Sequence, residues 1–196
     1  MIGGLVLAAG EGRRFGGRKL IAELDRRPLL EHSIEAILAV PAIERVVVVL
    51  GADADEVAAA TDLAGTESVV CEQWREGMAA SLRSGIAALG DVSAAVIVLG
   101  DQPFITPQVI AAIVDQADAP EAAARATYGG RPGHPVLIKR LLFEAVASLR
   151  GDAGARDLLA EAGVRELECA HLCRPDDVDT QDDLEVARAA LGGAIR

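Results

Sequence analysis

The chain has 196 residues, which suits one domain able to bury a substantial core. Hydrophobic residues make up 51% and aromatic residues 3%, so that core must be filled mainly by alanine and branched aliphatics. A formal net charge of -11 argues against nucleic acid or an anionic membrane as a partner and leaves any anionic ligand to a local cationic pocket.

Residues 2–8 form a short apolar run that predicts a buried strand. The run breaks into a turn with Gly10, Gly12, Gly16 and Gly17, among which stand Arg13, Arg14, Arg18 and Lys19. Glycines let backbone N–H groups face a ligand, and the cations suit a polyphosphate. Lys19 and Lys139 are the only lysines, so a lysine closing this turn is a distinctive choice. The dinucleotide fingerprint G-x-G-x-x-G needs glycine where Phe15 stands. The Walker A loop fails because Arg18 separates Gly17 from Lys19 and Leu20 follows.

Residues 28–40 carry apolar positions at helical spacing behind Pro28, and 45–50 form an unalternating apolar run suited to a strand buried on both faces. A short helix is expected over 53–60, a third strand over 68–71, a helix over 78–89 and a further buried strand over 94–99. Thr106-Pro107 has the chemistry of a helix start. Residues 117–124 look loosest. Alternating strands and helices predict a doubly wound, mostly parallel α/β sheet in a single domain, with ligands at the carboxyl ends of the strands.

Gly100-Asp-Gln-Pro103 falls at such an end. Asp101 is there either a Mg²⁺ ligand beside the polyphosphate or a cap for the next turn. Between strand and helix, Gly77 and its small neighbours let a flat base approach the backbone, and Ser81 can bond a base edge; Trp74 and Met78 read as packing. The stretch 129–138 is a turn feeding a strand, where His134 either donates to an acceptor phosphate or anchors the turn. Gly151 to Arg156 is another glycine turn opening a helix, suited to a second phosphate through Arg156 and free N–H groups. In the acidic stretch 176–185, Thr180 and Asp183 have capping-box spacing. Cys169, His171 and Cys173 fall on one face of an expected strand but lack a fourth zinc ligand. With Cys71 they make no even disulfide framework, which points to free thiols in the cytoplasm. The first residues lack the basic region of a secretory signal, and no apolar stretch nears the ~18 residues of a membrane helix.

The motif L-A-A-G-x-G-x-R-F-G-x-x-K at residues 7–19 resembles the signature of sugar-nucleotide-type nucleotidyltransferases, above all those that make molybdenum cofactor dinucleotides. Gly-Asp-Gln-Pro, G-M-x-x-S-L-x-x-G at 77–85, the G-x-P-x-H-P-like element at 130–135 and Asp179-Thr180 agree with it over nearly the whole chain. The resemblance implies a nucleotide-diphospho-sugar transferase-like, Rossmann-like three-layer fold. Residues up to about 105 would form the nucleotide- and metal-binding half, and the rest the acceptor half. It implies nucleotide contacts from Leu7, Ala8, Ala9, Gly10, Gly12, Arg13, Arg14, Lys19, Gly77, Ser81 and Gly100, with Arg14, Lys19 and Asp101 catalytic. It also implies Mg²⁺ on Asp101, and Asp179 as either a second ligand or a supporting residue. The acceptor side would take Gln102, Pro103, His134, Asp152 and Arg156. Guanylyltransferases of the group resemble L-A-G-G, so Ala9 favours CTP over GTP and leaves ATP and UTP open. Molybdopterin or its molybdenum form would be the acceptor, and a transient contact with a molybdenum hydroxylase would be compatible with it.

Overall fold

The N-terminal apolar run forms β1 (Ile2–Ala8), and its side chains alternate between two buried clusters: Val6 and Ala8 enter one, Leu5 and Leu7 the other. The computed structural model describes residues 1–151 and 154–192. After the glycine turn come a hairpin, β2 (Glu23–Leu24) and β3 (Arg27–Pro28), then α1 (Leu29–Leu38), β4 (Ile43–Leu50), α2 (Ala54–Ala60), β5 (Glu67–Val70), α3 (Met78–Leu89), β6 (Ala94–Leu99) and α4 (Pro107–Val114). The second half adds β7 (Ala123–Tyr128), β8 (Arg131–Lys139), α5 (Phe143–Ser148), α6 (Gly154–Ala162), β9 (Val164–Glu168) and α7 (Gln181–Gly192).

The main sheet has the order β5-β4-β1-β6-β8-β7-β9. Pairing is parallel except at β8, which runs antiparallel to both β6 and β7. The sheet is therefore mostly parallel and doubly wound, with one reversed strand that its local pattern does not announce. Helices α1 and α4 cover one face, while α3, α5 and α6 cover the other. Two glycines let the helices come close to the start of β1. A Cβ at Gly3 would lie 2.7 Å from Leu89 of α3, and one at Gly4 would lie 2.6 Å from Ile37 of α1.

A third cluster sits outside the sandwich. Phe15 of the glycine turn, Leu24 and Leu29 of the hairpin region, and Val178, Leu184 and Ala187 of the C-terminal segment pack together. Arg188 donates to the Glu23 carbonyl from two nitrogens, fastening α7 to the hairpin.

The expected helix starts hold. The Thr106 hydroxyl accepts from the Val109 amide at 3.4 Å, and Asp183 and Thr180 bond each other reciprocally at the start of α7. Two expectations are corrected. The loose stretch 117–124 already contains the first residues of β7. Residues 169–173 lie beyond β9 in a turn, so Cys169 and Cys173 do not share a strand face; Cys169 is buried in the core, while Cys173 faces the Tyr128 hydroxyl. Among the described residues no helix is long and apolar enough to cross a membrane.

Candidate active site

The chain leaves β1 for β4 on one side and returns to β6 on the other. This places the topological switch between β1 and β6, where open α/β sheets bind ligands. The Gly100 amide donates to the Leu7 carbonyl at 2.9 Å, so the exits of the two strands lie side by side. The glycine turn winds back on itself: the Phe15 and Gly17 amides both donate to the Gly12 carbonyl, at 3.0 and 3.2 Å. Gly12 has φ +62°, and a Cβ there would lie 3.0 Å from the Lys19 Cβ. Phe15 pins the turn in the third cluster, Leu20 pins its far end in the main core, and Lys19 is aimed at the exit of β6.

There Lys19 meets two carboxylates from distant parts of the chain. Its Nζ lies 2.6 Å from Asp101 Oδ2 and 3.1 Å from Asp179 Oδ1. Arg14 Nη2 holds the other oxygen of Asp179 at 3.0 Å. Burial lowers the Lys19 pKa, but the charges and hydrogen bonds of Asp101 and Asp179 outweigh it and hold the amine above the ordinary lysine value. Both carboxylates are fixed from behind. The Asp101 carbonyl accepts from the Val178 amide at 3.0 Å, and Asp183 accepts from the amides of Asp179 and Thr180 at 3.0 and 2.8 Å. Buried Ser33 of α1 donates to the carbonyls of Leu99 and Gln102, on either side of Asp101. Gln102 itself is 4% exposed and donates to Asp177 at 2.8 Å. It ties the C-terminal segment down rather than facing open space. Ser33 and Asp177 escaped the sequence reading because each lies in a stretch that reads as ordinary helix or acidic loop.

A cleft of about 550 Å³ opens in front of this charge cluster. Leu7, Ala9, Gly10, Gly12, Arg13, Arg14, Gly77, Ser81 and Asp101 line it, together with Trp74 and Met78. Ala8, Lys19 and Gly100 do not line it: Ala8 packs into the core on the opposite face, Lys19 is held between Asp101 and Asp179, and a Cβ at Gly100 would lie 2.8 Å from Leu30. Trp74, expected as packing, is only partly buried and carries the Arg75 guanidinium over its ring at 4.3 Å. A polar hollow of about 450 Å³ adjoins, sharing Glu11, Arg13, Trp74 and Arg75 as its wall with the cleft.

On the expected acceptor side, Pro103 is partly buried at the exit of β6. His134 lines a small apolar cavity with Leu7, Met78, Leu82, Ile97 and Val136. Asp152 lies outside the described residues. Arg156 falls in α6, with its side chain also outside them. Burial lowers the His134 pKa to about 4, against an opposing pull from Asp101. The ring is therefore neutral at pH 7 and offers hydrogen bonds rather than charge. The unfolded chain binds the proton near pH 6.5 and the folded one does not, so stability is full above that value and falls as the pH drops from about 6.5 towards 4. Partial exposure discounts the effect to about 2 kcal/mol. Urea unfolding at pH 7 and pH 4.5 should show a loss that His134→Gln reduces; an unchanged loss in the variant would clear His134 of that role.

The donor set also suits a divalent ion. Asp101 and Asp179 offer hard carboxylate oxygens, and both already face one cation, the Lys19 ammonium. Among the described residues no cluster of three or more His, Cys, Asp or Glu could hold a metal. An ion held here would thus complete its shell with phosphate oxygens and water, as magnesium does.

Residues 4–168 match the family model described as the MobA-like NTP transferase domain. Nicotine blue oxidoreductase of Paenarthrobacter nicotinovorans is 34% identical over 92% of this chain and 93% of its own. A probable molybdenum cofactor guanylyltransferase of Thermococcus sibiricus is 34% identical over 58% of this chain and 54% of its own. Among solved structures, Mycobacterium tuberculosis Rv0371c in complex with manganese superposes with a TM-score of 0.82 at 32% identity, covering 96% of this chain and 98% of that one. With the glycine turn, the switch-point cleft and the family match in agreement, the chain belongs to the MobA-like NTP transferase domain family and is a nucleotidyltransferase.

Proposed function

We propose that the protein transfers CMP from CTP to the terminal phosphate of a small acceptor, molybdopterin or its molybdenum form, with Mg²⁺ as the ion. The observation that carries this reading is the joining of Asp101, which lines the glycine-walled cleft, to Asp179 through Lys19. An acceptor phosphate oxygen attacks the α-phosphorus in line, a new P–O bond forms, and the bond to the β-phosphate breaks to release pyrophosphate. The acceptor phosphate is already ionised near pH 7, so the nucleophile needs no side-chain base. Arg14 and Lys19 exchange their carboxylate partners for phosphate oxygens as charge grows on the leaving group. When bound, the divalent ion neutralises and orients phosphate oxygens at Asp101 and Asp179. Residues 106–196 supply the acceptor side, with neutral His134 bonding the acceptor and Arg156 its phosphate. The product passes to a molybdenum hydroxylase in the cytoplasm.

The choice of CTP rests on Ala9, which is 5% exposed and lines the cleft where glycine would leave room for a purine edge. The test is pyrophosphate release with Mg²⁺, molybdopterin and each ribonucleotide in turn. CTP should give the highest kcat/KM, and Ala9→Gly should narrow its lead over GTP by about tenfold, the worth of one methyl in a fitted pocket. An unchanged ratio would take base selection away from position 9. The name of the Paenarthrobacter relative motivates a second reading, a nucleotide-binding oxidoreductase on the same fold. In that case no nucleotide releases pyrophosphate, and NAD(P)H absorbance changes instead.

A further inference from the structure

The cations around the cleft are not equivalent. Arg13 is held by Glu11 at 2.6 Å, Arg14 by Asp179 at 3.0 Å, Arg18 by Glu56 at 2.8 Å, and Lys19 by both site carboxylates. Each must give up a carboxylate before it can serve a phosphate fully. Arg75 is different. It stands on the short 3-10 turn Trp74–Glu76, makes no ion pair with any described residue, and rests its guanidinium on the face of Trp74 at 4.3 Å from the ring centroid. The adjacent acid, Glu76, is taken by Arg83 at 3.0 Å. Stacking on an indole holds a guanidinium in place and leaves its in-plane N–H donors free.

Its position shows which part of a ligand it would meet. Arg75 and Trp74 belong to the wall between the cleft and the adjoining hollow, whereas Arg14 and Asp101 border the cleft but not that hollow. The glycine turn runs past both spaces. A triphosphate placed with its α-phosphorus at the Asp101 end would extend its outer phosphates along that turn towards the shared wall. Asp53 faces the hollow beyond, while Glu11, the acid on the shared wall, is taken by Arg13.

We infer that Arg75, presented on Trp74, binds the β- and γ-phosphates of the nucleotide and then the departing pyrophosphate. The inference rests on the nucleotidyl-transfer reading for the direction of the triphosphate. It adds a binding residue that supplies an uncompensated charge where every neighbouring cation is already engaged.

Trp74 is the only tryptophan in the chain, so its fluorescence reports this pair directly. Inorganic pyrophosphate with Mg²⁺ should change the emission of the wild-type protein. Calorimetry should show Arg75→Gln binding pyrophosphate and CTP about tenfold more weakly, the scale of a lost charge-assisted contact, with CMP affinity kept within about twofold. Arg75→Lys, which keeps a point charge, should recover part of the loss. Wild-type affinity for pyrophosphate in Arg75→Gln, equal weakening of CMP and CTP, or no pyrophosphate binding by the wild type would each overturn the assignment. Arg75-dependent pyrophosphate binding without turnover of any nucleotide would instead sink the transferase reading and leave the assignment standing.

Discussion

An Asp101→Asn enzyme is expected to keep its fold and to lose nucleotidyl transfer by at least about a thousandfold. The side chain is 22% exposed and stands at the exit of β6. The contacts that shape this exit are made by backbone: the Gly100 amide to Leu7, the Val178 amide to the Asp101 carbonyl, and Ser33 to the flanking carbonyls. Asparagine disturbs none of them. It removes the charge that would hold a divalent ion and the 2.6 Å partner of Lys19, while Asp179 still neutralises the amine. Thermal melting should therefore move little while pyrophosphate release disappears. Normal turnover, with its metal dependence intact, would place the ion elsewhere.

Lys19→Met should produce a split that no simple loss of structure can imitate. The side chain is 11% exposed, and methionine fills nearly the same space. Turnover is expected to fall by about a hundredfold or more, because the cation that accompanies charge onto the leaving group is gone. Manganese alone, followed by its EPR signal, should bind more tightly than in the wild type. Two carboxylates would face the ion without an ammonium between them to be displaced. Weaker manganese binding in the variant would show that Lys19 organises the carboxylates for the metal rather than competing with it.

The sequence was most legible where local pattern and tertiary role coincide. The apolar runs of β1, β4 and β6 are buried on both faces, so every side chain in them must be apolar, and they stand out. The helix starts at Thr106 and Thr180 follow from capping chemistry that acts within four residues. β7 was missed because Ala-Ala-Arg-Ala-Thr-Tyr carries little β-propensity; it is a strand because β8 and β9 flank it. The edge strand β9, Val-Arg-Glu-Leu-Glu, carries three charged side chains in five residues and resembles a loop. The apolar pattern of β8 does not give its direction, which follows from the short Gly129-Gly130 turn joining it to β7. In the site, the glycine turn and Asp101 were readable from composition and position. The engagement of nearly every cation with a carboxylate was not, because it joins residues far apart in sequence.

Lys19 and Asp179 are 160 residues apart, and Asp179 is held in place by the packing of α7 on the hairpin. The second carboxylate therefore reaches the amine only when α7 has clasped the hairpin near the other end of the chain, so this ion pair reports the completion of the whole fold.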